Sequence, residues 1–335
     1  MLDRRSFVLA AGAGLCTAGF ASSSLGQQGA GKVVLYTSNN TEVVQSALDV
    51  IRTRIPNLRV EQVTGGTGML MKRIEAEATS PAGDVFWSGG FGTLGAYVRH
   101  FESYRSPEIA AIPQNLQGPG GLWTGTNVHV MLIMANKGRA AGASLPKSWT
   151  DLFDPRWKGK VAMTDPNNSS FTYITVYALL QRFGVDGLRK LAANLVITGT
   201  TGQTNKGVSD GEYALGITSE AAAYEYVAAE QPGISLIYPA EGAVLSPEGV
   251  VLIKGARSPD AARRLYDAFL SKEVQEAVLE TTYRRPSRMD IRVSSIVKLP
   301  DMADIALLDV DQSAASQGRE EMLKVWNTIV ADARR

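Results

Sequence analysis

Three apolar runs, each emptying into polar and glycine-rich residues, constrain the first part of this chain more than any other feature. Lys32-Val33-Val34-Leu35-Tyr36 ends in Thr37-Ser38-Asn39-Asn40-Thr41. Leu58 to Val63 ends in Thr64-Gly65-Gly66-Thr67-Gly68, and Asp84-Val85-Phe86-Trp87 ends in Ser88-Gly89-Gly90. Between the runs, Val43, Val44, Ala47, Leu48 and Ile51, and then Leu70, Ile74 and Ala78, recur at helical spacing. The order strand, helix, strand, helix, strand predicts an α/β domain with a largely parallel sheet. Ligands of such sheets gather at the carboxyl ends of the strands. Thr37 and Ser38, Thr67 and Gly68, and Ser88 and Gly89 are therefore expected to face one cleft. The turn at Thr64 to Gly68 can direct free amides and two hydroxyls at an anion, assisted by the positive end of the following helix. A tight surface turn would read the same way.

The chain has 335 residues, enough for two domains of roughly 150 residues each. A second lobe repeats the logic of the first without repeating its sequence. Trp157 to Met163 runs as a strand into Thr164-Asp165-Pro166-Asn167-Asn168-Ser169-Ser170, and Tyr173 to Phe183 has a helical apolar pattern. Asn168 and Ser169 then stand at a helix entrance, to cap it or to hold a ligand. Thr200 lies in the polar end after Val196-Ile197. Glu220 follows the strand Ala214-Leu215-Gly216-Ile217, and Glu248 adjoins the strand Val250 to Ile253. Both carboxylates could receive an ammonium group, sugar hydroxyls or a cation, and Glu220 could equally cap its own helix. The expected boundaries put residues 27–125 and 241–335 mainly in lobe one, with the C-terminal helices, and residues 126–240 mainly in lobe two. The crossings fall near Gly125 and Glu241.

Residues 1–26 differ in kind. Asp3-Arg4-Arg5-Ser6-Phe7 opens an almost uncharged run ending in Ser22-Ser23-Ser24-Leu25-Gly26, an export signal by its basic start, apolar core and small residues before the cut. The adjacent arginines fit the twin-arginine type, and an ordinary secretory signal is the alternative. Cys16, the single cysteine, lies inside this segment, and Ala13-Gly14-Leu15 before it is a poor lipid-attachment match. A mature chain without cysteine has no disulfide, thiolate nucleophile or cysteine-bound metal, and is compatible with an oxidising compartment. It is expected to be soluble and monomeric.

Charge and motif exclude several functions. With 34 basic and 33 acidic residues, no excess attracts a polyanion, so nucleic acid is not an expected partner. His100 and His129, the two histidines, occur in no nucleophile elbow or zinc helix and are read as structural or solvated. The Gly65-Gly66-Thr67-Gly68 turn lacks both the dinucleotide spacing and the phosphate-loop ending. No cofactor and no catalytic set are expected.

The export signal, Val34-Leu35-Tyr36-Thr37-Ser38, the Gly66-Thr67-Gly68 to Trp87-Ser88-Gly89-Gly90 block, Trp149-Thr150-Asp151-Leu152, Gly159-Lys160-Val161-Ala162, Gly211-Glu212-Tyr213-Ala214-Leu215-Gly216 and Gly249-Val250 together resemble the periplasmic solute-binding proteins of ABC importers. The resemblance is to the group that binds ferric ion, sugar phosphates or aminoethylphosphonate, and it spans nearly the whole mature chain. It implies a two-lobed type II periplasmic binding protein fold, a solute closed between the lobes, and delivery to an inner-membrane permease. Ferric-binding relatives carry adjacent tyrosines where this chain has Ser219-Glu220-Ala221-Ala222-Ala223, with Tyr224 and Tyr226 as imperfect substitutes. The expected solute is therefore a small organic anion, a phosphonate or phosphorylated compound. Ferric ion is the alternative, another carboxylate or polyol comes next, and a secreted hydrolase is remote.

Overall fold

The computed structural model describes residues 31–140 and 144–334; the proposed export signal, its arginine pair and Cys16 lie outside them. The first three strands form where the apolar runs predict: β1 Gly31–Thr37, β2 Leu58–Thr64 and β3 Val85–Gly90, with helices α1 Thr41–Arg54 and α2 Thr67–Ala76 between them. α1 begins at Asn40, whose side chain accepts from the Val43 amide, and it buries Val43, Val44, Ala47, Leu48 and Ile51 as one stripe. From the sequence, a helix is expected over Leu94 to Phe101, and α3 is displaced from it. It covers Phe91–Ala96, and Phe101–Glu102 is taken into a short strand, β4, because Phe101 pairs with Ile253.

The chain then crosses on β5, Thr124–Asn136, a 13-residue strand. The second lobe follows with β6 Val161–Thr164, α4 Ser170–Ala192, β7 Leu195–Thr198, α5 Thr201–Ser209, β8 Leu215–Ser219, α6 Glu220–Ala228 and β9 Ile234–Ile237. The return is made by β10, Val244–Ile253, and leads to α7 Pro259–Leu270, α8 Lys272–Thr282, β11 Arg285–Pro286, α9 Gln312–Gln317 and α10 Arg319–Ala333. Within this set no helix is long and apolar enough to cross a membrane.

All strands join one sheet in the order β2-β1-β3-β10-β5-β8-β6-β7, with β4, β9 and β11 at its margins. The sheet is mixed. β1 runs parallel to β2 and β3, and β6 parallel to β7 and β8, but β10 and β5 lie antiparallel to their neighbours. Those two central strands divide the protein into its lobes. Along β5 the core changes hands between Val128 and Met131, and along β10 between Val244 and Val250.

One boundary expectation is corrected. α7 and α8 pack in the first core, through Leu265, Phe269 and Val278 among others, but the last two helices do not. Ala315, Met322, Trp326 and Ile329 belong to the second core, with Trp149, Trp157 and Leu179. The apolar stripe of α10 does not by itself say which lobe it covers. α9 also reaches lobe one: Ser316 Oγ donates to the Gly92 carbonyl at 2.5 Å, while the Tyr173 hydroxyl of α4 donates to the Ala315 carbonyl.

The return crossing is fastened just before β10. Trp149 Nε1 donates to the Gly242 carbonyl at 2.8 Å, and the Ala243 amide and carbonyl bond Ala306 and Leu308. Gly242 has φ +120°, and a Cβ there would stand 2.5 Å from the Leu307 carbonyl carbon. Gly242→Ala is therefore expected to destabilise the protein by more than about 2 kcal/mol in denaturant unfolding, through backbone strain and steric conflict together. An unchanged midpoint would mean that this crossing is not held as described.

Candidate functional site

Three strand ends of lobe one bring hydroxyls to one point. Ser38 follows β1, Thr67 opens α2 after β2, and Ser88 stands near the end of β3. Ser38 Oγ lies 2.7 Å from Thr67 Oγ1 and 2.7 Å from Ser88 Oγ. The chain of hydroxyls ends at a carboxylate, with Ser88 Oγ 3.3 Å from Glu248 Oε1. That end fixes the direction of every proton. An ionised carboxylate only accepts, so Ser88 donates to Glu248, Ser38 to Ser88, and Thr67 to Ser38.

Glu248 is brought there by an irregularity in the central strands. It pairs with Gly90 on one side and Asn127 on the other, and both ladders shift register next to it; bulges of this kind re-aim side chains. Opposite the shift, Ser88 takes φ +140° and Gly89 +82°. Such a backbone is costly for serine and is held here by the buried contacts around it. Glu248 is 5% exposed. Asn127 Nδ2 and His129 Nε2 each lie 3.2 Å from its Oε2, and Arg284 NH1 lies 3.4 Å away and donates to Asn39 Oδ1 at 2.6 Å. Burial alone would push the carboxyl up. The charge and hydrogen bond of His129, followed by Arg284 and Asn127, outweigh it and hold the group down at about 2.

The same row of residues touches the second lobe. The His129 ring packs against Phe171 of α4 with centroids 4.1 Å apart and planes tilted by 33°, and its Nδ1 is buried with no hydrogen-bond partner among the described residues. Beside it lies a cavity of about 200 Å3 between the lobes. Gly90 and Thr93 bound it from lobe one, Ser170 and Tyr173 from lobe two, Ser246 from β10 and Arg319 from α10. Ser246 is the cross-strand partner of His129, and Gly90 that of Glu248. Cavity and carboxylate thus share one face of the crossing strands.

Of the residues singled out in the sequence, Ser38, Thr67, Ser88 and Glu248 form this connected chain. Thr37 turns inward, donating to the Trp87 carbonyl at 2.7 Å. Gly68 lies in the first turn of α2, and Gly89 in the distorted end of β3. Ser169 caps α4, accepting from the Thr172 amide, and places Ser170 at the cavity. Asn168 is exposed beside it. Thr200 closes a capping box with Gln203 at the exposed start of α5. Glu220 is 1% exposed: Arg285 donates to it at 2.5 and 2.8 Å, and the Tyr238 hydroxyl donates to it as well. Its carboxylate holds β11 to lobe two. Tyr224 receives the Lys298 amide at 3.1 Å and meets Tyr283 edge-on, and Tyr226 packs with the small cluster around Val208 and Ala223. Asn39, Asn127, Arg284 and Arg319 carry no motif that marks them in the sequence, and His129 was read there as structural or solvated.

A family model described as bacterial extracellular solute-binding protein matches residues 80–311. The chain is 25% identical to a putative 2-aminoethylphosphonate-binding periplasmic protein of Salmonella typhimurium, over 72% of this chain and 73% of that one. It is 24% identical to an Fe(3+)-binding periplasmic protein of Serratia marcescens, over 83% and 85%. The structure of the periplasmic binding protein AfuA from Actinobacillus pleuropneumoniae, with exogenous fructose-6-phosphate bound, superposes with a TM-score of 0.76 at 24% identity, covering 90% of this chain and 99% of the other.

Two measurements test the electrostatics. Glu220→Gln leaves the buried Arg285 charge uncompensated, so it is expected to cost roughly 3 to 5 kcal/mol of stability without altering solute affinity. A fully stable variant with weakened binding would instead make Glu220 a solute contact. Glu248 has a depressed pKa, so its contribution to stability is present above about 4.5 and is lost as pH falls toward about 2. Over that window Glu248→Gln is expected to lose less stability than the parent protein, by on the order of 3 kcal/mol; parallel acid-unfolding curves would contradict the assignment.

Proposed function

The chain belongs to the bacterial extracellular solute-binding proteins, and on that footing we propose that it is the periplasmic receptor of an ABC importer, capturing a small organic anion of the phosphonate or phosphorylated class and handing it to an inner-membrane permease. The observation that carries the choice of solute is the composition of the interlobe cavity. Hydroxyl, amide and glycine backbone groups line it together with one arginine and the apolar Ala96, Ile174 and Ala315, and none of its lining residues is an acid. Such a wall favours an anion and gives a hard cation no charged ligand. Its volume, about 200 Å3, is below the roughly 300 Å3 at which drug-sized sites begin, so the solute is small. The named Salmonella relative supports the same class.

The ferric reading has a named relative in its favour. Against it stands the use of Tyr224 in hydrogen bonding to the Lys298 amide and of both tyrosines in packing. Release to the permease without chemistry agrees with relatives named as binding proteins.

A thermal-shift panel on solute-free protein, with phosphonates, sugar phosphates, inorganic phosphate, polyols, carboxylates and ferric salts, checks the proposal. A selective ligand at 100 times its Kd stabilises by about 2.7 kcal/mol, so an organic phosphonate or phosphate is expected to raise the Tm by several degrees. A shift confined to ferric salts or to uncharged polyols would overturn the choice of solute.

A further inference from the structure

Arg319 differs from the other arginines around the interlobe face. Arg284 and Arg285 are paired with Glu248 and Glu220, whereas Arg319 has no ion pair within 4 Å among the described residues. Its guanidinium lies 4.2 Å from the Tyr173 ring centroid, and its one hydrogen bond among the described residues is a long contact of 3.4 Å to the Pro166 carbonyl. Burial pushes it below its ordinary value. Every other residue lining the cavity is uncharged at neutral pH. One helix start adds to the same sign: α4 has no acidic residue in its first turn, and its Ser170 lines the cavity with Arg319. A half-buried cation stacked on an aromatic face, with hydroxyls around it and no acid to answer it, is arranged for an anionic head group.

The neighbouring cluster has the opposite polarity. Because its protons all run toward Glu248, the Thr67 hydroxyl spends its own on Ser38 and has only lone pairs left to offer. An acceptor at that position recognises an ammonium or hydroxyl group. Ser246, on the cavity, and Glu248, at the end of the hydroxyl chain, are two residues apart on one face of β10, a spacing of about 7 Å.

We propose that the interlobe site has two poles, Arg319 anchoring the anionic head of the solute and the Thr67-Ser38-Ser88-Glu248 chain accepting a hydrogen-bond donor at its other end. The solute class is then a short anion bearing a distal ammonium or hydroxyl, bound in one orientation. This rests on the organic-anion reading above and sharpens it.

Calorimetry with four probes tests both poles: 2-aminoethylphosphonate and its donor-less counterpart ethylphosphonate, and fructose 6-phosphate and inorganic phosphate. The parent protein is expected to prefer at least one donor-bearing probe over its counterpart by about 10-fold or more. Arg319→Gln should weaken every probe that binds by about 10- to 100-fold, and Arg319→Lys, which keeps the charge but not the fork, by less. Thr67→Val should weaken the donor-bearing probe by about 5-fold and leave its counterpart unchanged. Melting curves of the unliganded variants show that they are folded, and the Lys variant stands in if the Gln variant is not. Probe affinities unaffected by either Arg319 substitution overturn the anionic pole alone. Equal affinity for a donor-bearing probe and its counterpart overturns the donor pole alone. Binding of none of the four overturns the two-pole site together with the organic-anion reading.

Discussion

The structure turns on one buried carboxylate. Glu248 lies where the two crossing strands change register, and it is the common partner of groups from otherwise separate parts of the chain: Ser88 at the end of β3, Asn127 and His129 on β5, and Arg284 after α8. A buried anion without partners would cost several kcal/mol, so its stability requires those groups to be present together. Once they are, the ends of lobe one, the crossing and the segment after α8 are held in a single arrangement. The strained backbone at Ser88 is part of that arrangement, since relaxing it would withdraw a hydrogen bond from the carboxylate.

Much of the scaffold was legible in the sequence, because the signals that carried it are local. An apolar run of five residues ending in Thr-Ser-Asn, or a helical stripe such as Val43 to Ile51, reports its own strand or helix without reference to the rest of the chain. The same locality made Ser38, Thr67, Ser88 and Glu248 visible as residues at strand ends. What the sequence did not show was pairing at a distance. Nothing near Glu220 announces Arg285, 65 positions later, as the cation that occupies it. Arg284 and Arg319 carry no local pattern, and they become distinct only when packing leaves one with a carboxylate and the other without.

The C-terminal helices illustrate the same limit at the level of a lobe. The periodicity of Met322, Trp326 and Ile329 requires α10 to bury a face, and either core could have supplied the surface. Packing selected the second. As a result α9 lies between α3 of lobe one and α4 of lobe two, bonded to both, and the chain end becomes a third wall of the interlobe space in addition to the two lobes themselves.

The register shift around Glu248 has a mechanical consequence. β5 and β10 are at once the strands that cross between the lobes and those that carry Asn127, His129, Ser246 and Glu248. Bending these strands alters the separation of those side chains, and a molecule that fixes their separation resists the bend. Under the proposed function, occupancy and lobe angle would then be a single coordinate, and a membrane partner that feels only the outer edges of the two lobes would distinguish a loaded receptor from an empty one.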